Sequence, residues 1–209
     1  MIGLGIYFEA RRVWATILTI CILMVVASLL SGRFVEVPAV LGGGSAAMPV
    51  VVVLLPVALS SLLAFAMSSR THLREQSAYR RVDAWDASFL AGATCLVSAV
   101  SGALGAAGLL VHPLWFARNC LLLVGIFATV LAFRSPAAAS VSCAAVVLFT
   151  STYGPRNPGA EYIRVLQNAP TGVTSMFAVA VLVCGLVLLT ASEQLRSLLT
   201  SSMLRGELH

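Results

Sequence analysis

The chain has 209 residues, 59% of them hydrophobic and 10% charged, with a mean hydropathy of +0.97. Soluble domains carry roughly 25% charged residues, so this composition excludes an ordinary soluble catalytic domain. The net charge of +5 comes from 13 arginines without a lysine, and these flank apolar runs, so they read as membrane-orientation signals and not as a nucleic-acid surface.

Residues 1–12, MIGLGIYFEARR, mix apolar residues with Glu9, Arg11 and Arg12 and suit a short interfacial helix entering the first span. The apolar run that follows exceeds the usual 7–15 residues of a signal-peptide core, and no small-x-small cleavage site follows it, so it is expected to be retained. Six spans are predicted, at 13–31, 49–68, 87–111, 114–133, 137–153 and 172–191. Each is near the length of about 20 residues that crosses a bilayer. The expected class is therefore all-α, a single polytopic membrane domain over 1–209.

Between the first two spans, SGRFVEVPAVLGGGSAAM reads as a loop broken by Pro38 and glycines 42–44. The second gap, SRTHLREQSAYRRVDAWD, is the most charged stretch and lacks Pro and Gly. It suits a short helix on the membrane face, with Arg74, Glu75, Arg80 and Arg81 offering a polar docking surface; a solvated basic loop explains the same residues. Spans three and four are separated by little more than His112 and Pro113, and spans four and five turn at Arg134, Ser135 and Pro136. Before span six, Pro155, Pro158 and Pro170 bracket AEYIRVLQN, long enough for two helical turns that dip into the outer leaflet; an ordinary interfacial loop is the simpler alternative. Tyr162, Arg164 and Asn168 are its candidate functional residues. An amphipathic, mildly basic tail follows Ala191.

The arginines divide by side. Arg11, Arg12, Arg70, Arg74, Arg80, Arg81, Arg134, Arg196 and Arg205 fall on one, and Arg33, Arg118, Arg156 and Arg164 on the other. Under the positive-inside rule this puts both termini and the 69–86 loop in the cytoplasm, and 32–48 and 154–171 outside. Trp14 and Trp115 suit anchoring at opposite interfaces.

Chemistry-bearing residues are few. Arg118 stands one turn into span four, where it can snorkel to the outer headgroups or contact a substrate, with Asn119 beside it. The acidic residues fall in loops, tails and span edges, which disfavours proton-coupled transport. Gly43, Gly44 and Ser45 faintly suggest a serine-protease loop with His112 on the same side, but nothing places a base within reach of the serine. No enzyme, metal site or cofactor is expected in this chain. Cys21, Cys95, Cys120, Cys143 and Cys184 lie in apolar runs and read as small packing residues. Span three carries Ser88 and Gly92, Ser98 and Gly102, Ser101 and Gly105, each four apart, which suits close helix packing against span four or a second subunit. Pro56 marks a local break in the backbone ladder of span two.

The amphipathic entry YFEARRVWATIL, the charged loop SSRTHLREQSAYRRVDAWD, the proline-marked YGPRNPGAEYIRVLQNAP and the tail ASEQLRSLL together resemble the membrane subunit of type-2 ABC exporters, the permeases of drug, polysaccharide and natural-product export. The resemblance is one of layout over nearly the whole chain. It implies a multi-pass protein of a bacterial cytoplasmic membrane, with the first cytoplasmic loop as a coupling helix and short outward helices before the last span. No GxxxxGK[ST] occurs, so ATP and Mg would belong to a separate ABC ATPase subunit. The further partners implied are a second permease chain, identical or homologous, and membrane lipid. A small-solute binding subunit of an energy-coupled uptake system and a non-transporting scaffold or immunity protein remain as alternatives.

Overall fold

The computed structural model describes residues 13–38, 45–68, 82–152, 166 and 169–206. These residues form six helices: α1 (Val13–Leu29), α2 (Val50–Ser68), α3 (Val82–Ala106), α4 (Pro113–Phe133), α5 (Pro136–Thr152) and α6 (Gly172–Gly206). The class is all-helical, as the apolar runs predict. One addition lies between α1 and α2, where β1 (Phe34–Pro38) pairs antiparallel with β2 (Ser45–Pro49) in the register Phe34 to Pro49 and Pro38 to Ser45. The loop expected there is thus a hairpin, and Val35 and Val37 beside a glycine-rich stretch are its strand signal.

Among the described residues, four helices are long and apolar enough to cross a membrane: Val50–Ser68, Ala84–Ala106, Pro113–Phe133 and Gly172–Ala191. The other two apolar helices, Val13–Leu29 and Pro136–Thr150, are shorter. A 17-residue helix such as α1 rises roughly 26 Å, just short of a hydrocarbon core of about 30 Å.

Two boundaries differ from expectation. Helix α3 begins at Val82, so Asp83, Trp85 and Asp86 belong to it and not to the charged loop, and Asp86 is buried. The same helix ends at Ala106, because Gly108 adopts a left-handed φ of 72°. There the Leu109 N–H donates to the Leu104 carbonyl at 2.9 Å and the Gly108 N–H to Gly105 at 3.0 Å, a glycine-dependent helix stop. At the other extreme, α6 runs on past its apolar part to Gly206.

Helix α4 is the centre of the bundle. It packs on α2, α3, α5 and most extensively α6. Phe116, Cys120, Leu123, Val124, Phe127 and Ala128 give it a buried face in one continuous apolar core with Leu59 and Leu63 of α2. Helices α4 and α6 approach at two glycines. A Cβ on Gly125 would meet the Leu182 backbone nitrogen at 2.7 Å, and one on Gly185 would collide with the Gly125 carbonyl. This is small-residue packing, but it involves α4 and α6 and not the predicted α3 stripe. A Cβ on Gly92 or Gly102 would meet nothing within 4 Å, and only Gly105 of that set is crowded, by the Pro113 side chain. Exposed apolar residues of α1 and α6, such as Leu18, Val25, Val173, Met176 and Val183, face outward as a membrane-facing surface requires.

The helices alternate in direction, so the starts of α2, α4 and α6 share one end with the hairpin. Two bonds show the junction: the Val50 N–H donates to the Arg33 carbonyl at 3.1 Å, and the Val111 N–H to the Ser31 hydroxyl at 2.8 Å.

Candidate functional site

The main polar cluster among the described residues lies at the hairpin end, on the first two turns of α4. Pro113 opens this helix at a position where its missing N–H costs nothing. Trp115, Arg118 and Asn119 then recur at i, i+3 and i+4 and share one face. That face meets α2, the start of α6 and Leu166.

Each polar group has named partners. The Asn119 amide nitrogen donates to the Val52 carbonyl and to the Leu166 carbonyl, both at 2.9 Å. Its oxygen accepts from Arg118 Nε at 3.2 Å and Nη2 at 2.9 Å. Arg118 also donates from Nη1 to the Thr174 hydroxyl and from Nη2 to the Leu166 carbonyl, both at 3.4 Å. Trp115 Nε1 donates to the same carbonyl at 2.9 Å. Leu166, itself buried, therefore has one carbonyl oxygen facing three side-chain donors. The His112 ring packs edge-on against Trp115, with centroids 5.6 Å apart.

The Val52 contact has a sequence cause. In an α-helix the N–H of residue 56 would bond to the carbonyl of residue 52, but Pro56 has no N–H. Asn119 supplies the donor that the proline withholds. In α6, Thr171 caps the helix: the Thr174 N–H donates to its hydroxyl at 3.2 Å, and its own N–H donates to the Thr174 hydroxyl at 2.9 Å.

Arg118 is only 2% exposed and Asn119 1%. The guanidinium makes four hydrogen bonds inside the bundle. Its acceptors are all neutral, and among the described residues no carboxylate pairs with it. It also lies beside the first turn of α6, the positive end of that helix dipole. Trp115, half-buried, is likewise bonded to a protein carbonyl.

A cavity of about 10 Å³ lies under the cluster, lined by Val52 and Val53 of α2, Asn119 and Leu123 of α4, Val147 and Thr150 of α5, and Leu166. That volume is at the lower limit for one water molecule. Of the two predicted substrate-path residues, Asn119 borders it and Arg118 does not. On the bundle surface the Ser61 and Ser140 hydroxyls join α2 to α5 at 3.2 Å, and in the core the Cys143 thiol donates to the Leu123 carbonyl at 3.3 Å. Cys120 and Cys143 pack in the core as expected, whereas Cys21, Cys95 and Cys184 are exposed on the outside of the bundle. An apolar groove of about 200 Å³ separates α1 from α3, bordered by Ile17, Ile20, Phe89 and Gly92.

Other predicted residues are not brought to this cluster. Ser45 pairs with Pro38 in the hairpin, while His112 packs on Trp115. Arg74, Glu75, Arg80 and Arg81, and Tyr162, Arg164 and Asn168, lie outside the described residues. Sequence reasoning missed Thr174 and the Leu166 carbonyl. Pro56 was the available signal for part of this, since a proline inside a span demands a donor from elsewhere for the carbonyl four residues before it.

No protein-family model matches the chain, and neither a curated protein nor a solved structure matches it.

Proposed function

We propose that this chain is the membrane subunit of an ATP-binding-cassette exporter, moving an apolar or amphipathic substrate with energy from a separate ATPase chain. The observation that carries this reading is the end of the bundle where α2, α4 and α6 begin. There the segment before the last helix is drawn into the bundle at Leu166 by Trp115, Arg118 and Asn119. This is the position at which the layout of such permeases implies outward-facing structure. The apolar helices that make up most of the described chain, and a sequence without a P-loop, support a transport role that depends on a partner.

On this reading all six helices span a bacterial cytoplasmic membrane, with both termini inside. Two permease chains pair, identical or homologous, and two ABC ATPase subunits bind below them, holding ATP and Mg. Arg74, Glu75, Arg80 and Arg81 make the ATPase contact, and Tyr162, Arg164 and Asn168 sit on the outer side of the path.

The test is co-purification with an ATPase encoded beside the gene. Arg74→Glu, Arg80→Glu and Arg81→Glu, combined with Glu75→Arg, are expected to abolish association and stimulated ATP hydrolysis. Retention of both would sink the coupling assignment. Strong thermal stabilisation of the isolated chain by a candidate vitamin would favour a solute-binding subunit instead.

A further inference from the structure

Helix α2 is divided by Pro56 into two parts of different security. The turns before it, residues 50–55, are joined to the rest by one backbone hydrogen bond fewer than in an unbroken helix, and proline is the commonest point at which a helix bends. These turns carry Val52 and Val53, one wall of the small cavity; α4 and α5 supply the facing walls. Strand β2 runs straight into them. Among the described residues, the side-chain hydrogen bond that fastens them to α4 is the one from Asn119 to the Val52 carbonyl. Asn119 is itself held from behind by Arg118 and by Leu166.

We propose that the 50–55 turns of α2 hinge at Pro56 and that Asn119 is the catch that holds them shut over the space between α2, α4 and α5. The structure is the shut state, since a cavity of about 10 Å³ admits no solute. When Asn119 lets go of the Val52 carbonyl, Val52 and Val53 swing away and expose Asn119 and Thr150 to whatever enters. A freed carbonyl must find a new partner, and backbone left without its helical bond in a membrane protein is tolerated where it is buried in protein or lines a water-filled cavity. The Val52 carbonyl is therefore satisfied in two discrete ways, by Asn119 when shut and by water when open. A hinge of this kind requires no particular cargo or energy source.

Thr150→Cys provides the reporter, because Thr150 lies on the opposite wall, is 7% exposed and is nearly the size of cysteine. The full-length chain in membranes is treated with a membrane-impermeant maleimide added from the hairpin side, with labelling of the native cysteines subtracted. Labelling is expected to be slow in the parent and about tenfold faster with Asn119→Ala, as for loss of a hydrogen bond whose buried acceptor is left unpaired. Adding Pro56→Ala to Asn119→Ala is expected to slow it again, because the backbone N–H restored by that substitution bonds to the Val52 carbonyl. Pro56→Ala alone, with Asn119 intact, is expected to label more slowly than the parent. An unchanged rate in Asn119→Ala, or an increase that Pro56→Ala fails to reverse, overturns the hinge. If Asn119→Ala does not fold, Pro56→Ala decides alone: slower labelling supports the hinge and an unchanged rate overturns it.

Discussion

Arg118 and Asn119 are neighbours on one helix, yet the energetics of removing them differ. Among the described residues, Arg118 is a buried cation with neutral partners. Arg118→Met, which keeps the length and drops the charge, relieves the burial of a cation but takes both donors from the Asn119 side-chain oxygen, and these opposed effects are expected to hold the change in stability to about 1 kcal/mol. Asn119→Leu strands the Val52 carbonyl, takes one of three donors from the Leu166 carbonyl and leaves the guanidinium short of its nearest acceptor. A loss of about 2–3 kcal/mol is expected, read as denaturant unfolding in mild detergent. Equal effects of the two substitutions would show that the cluster acts as a charge and not as a hydrogen-bond hub. That Arg118 and Asn119 matter was legible in the sequence, because polar residues inside an apolar run stand out. Their partners were not, because Val52, Leu166 and Thr174 lie 67, 47 and 56 residues away from the side chains they meet.

Among the elements, the α4–α6 crossing is where backbone meets backbone. Gly125→Ala puts a methyl against the Leu182 nitrogen, which cannot turn aside as a flexible side chain would. The helices must separate, at an expected cost of about 1–3 kcal/mol. Gly102→Ala on α3 meets nothing within 4 Å and is expected to fall within about 0.5 kcal/mol of wild type. Thermal unfolding of the two variants side by side checks the contrast, and a larger loss at Gly102 would move the tight interface to α3. Both glycines look alike in sequence. The α3 set even has the more regular four-residue spacing. Spacing identifies faces on which close approach is permitted, and only the neighbouring helix decides whether it happens. The end of α3 is a similar case. Leu109, Leu110 and Val111 continue the apolar run, but the left-handed Gly108 has already ended the helix. Gly108→Ala is expected to cost about 1 kcal/mol in the same measurement, because a side chain is strained at a φ of 72°.

For the whole molecule, the arginine distribution makes a prediction that the fold leaves open. Nine arginines expected on one side against four on the other predict that both termini lie in the cytoplasm. A fluorescent protein fused at the C-terminus is expected to fluoresce, and alkaline phosphatase at the same place to stay inactive; the reverse pair of results would invert the topology. The sequence by itself determined the helical class, the approximate limits of the apolar helices among the described residues and their lipid-compatible surface, because hydropathy and chain reach are local properties read residue by residue. It also marked Pro56, Arg118 and Asn119 as exceptions within apolar spans. Only the tertiary structure decided that α4 is central, that Gly125 and Gly185 form the close crossing, and that Asn119 completes the hydrogen bond denied by Pro56. Those are relations between segments tens of residues apart. In an apolar chain many helix pairings look equally favourable until packing and hydrogen-bond geometry choose among them.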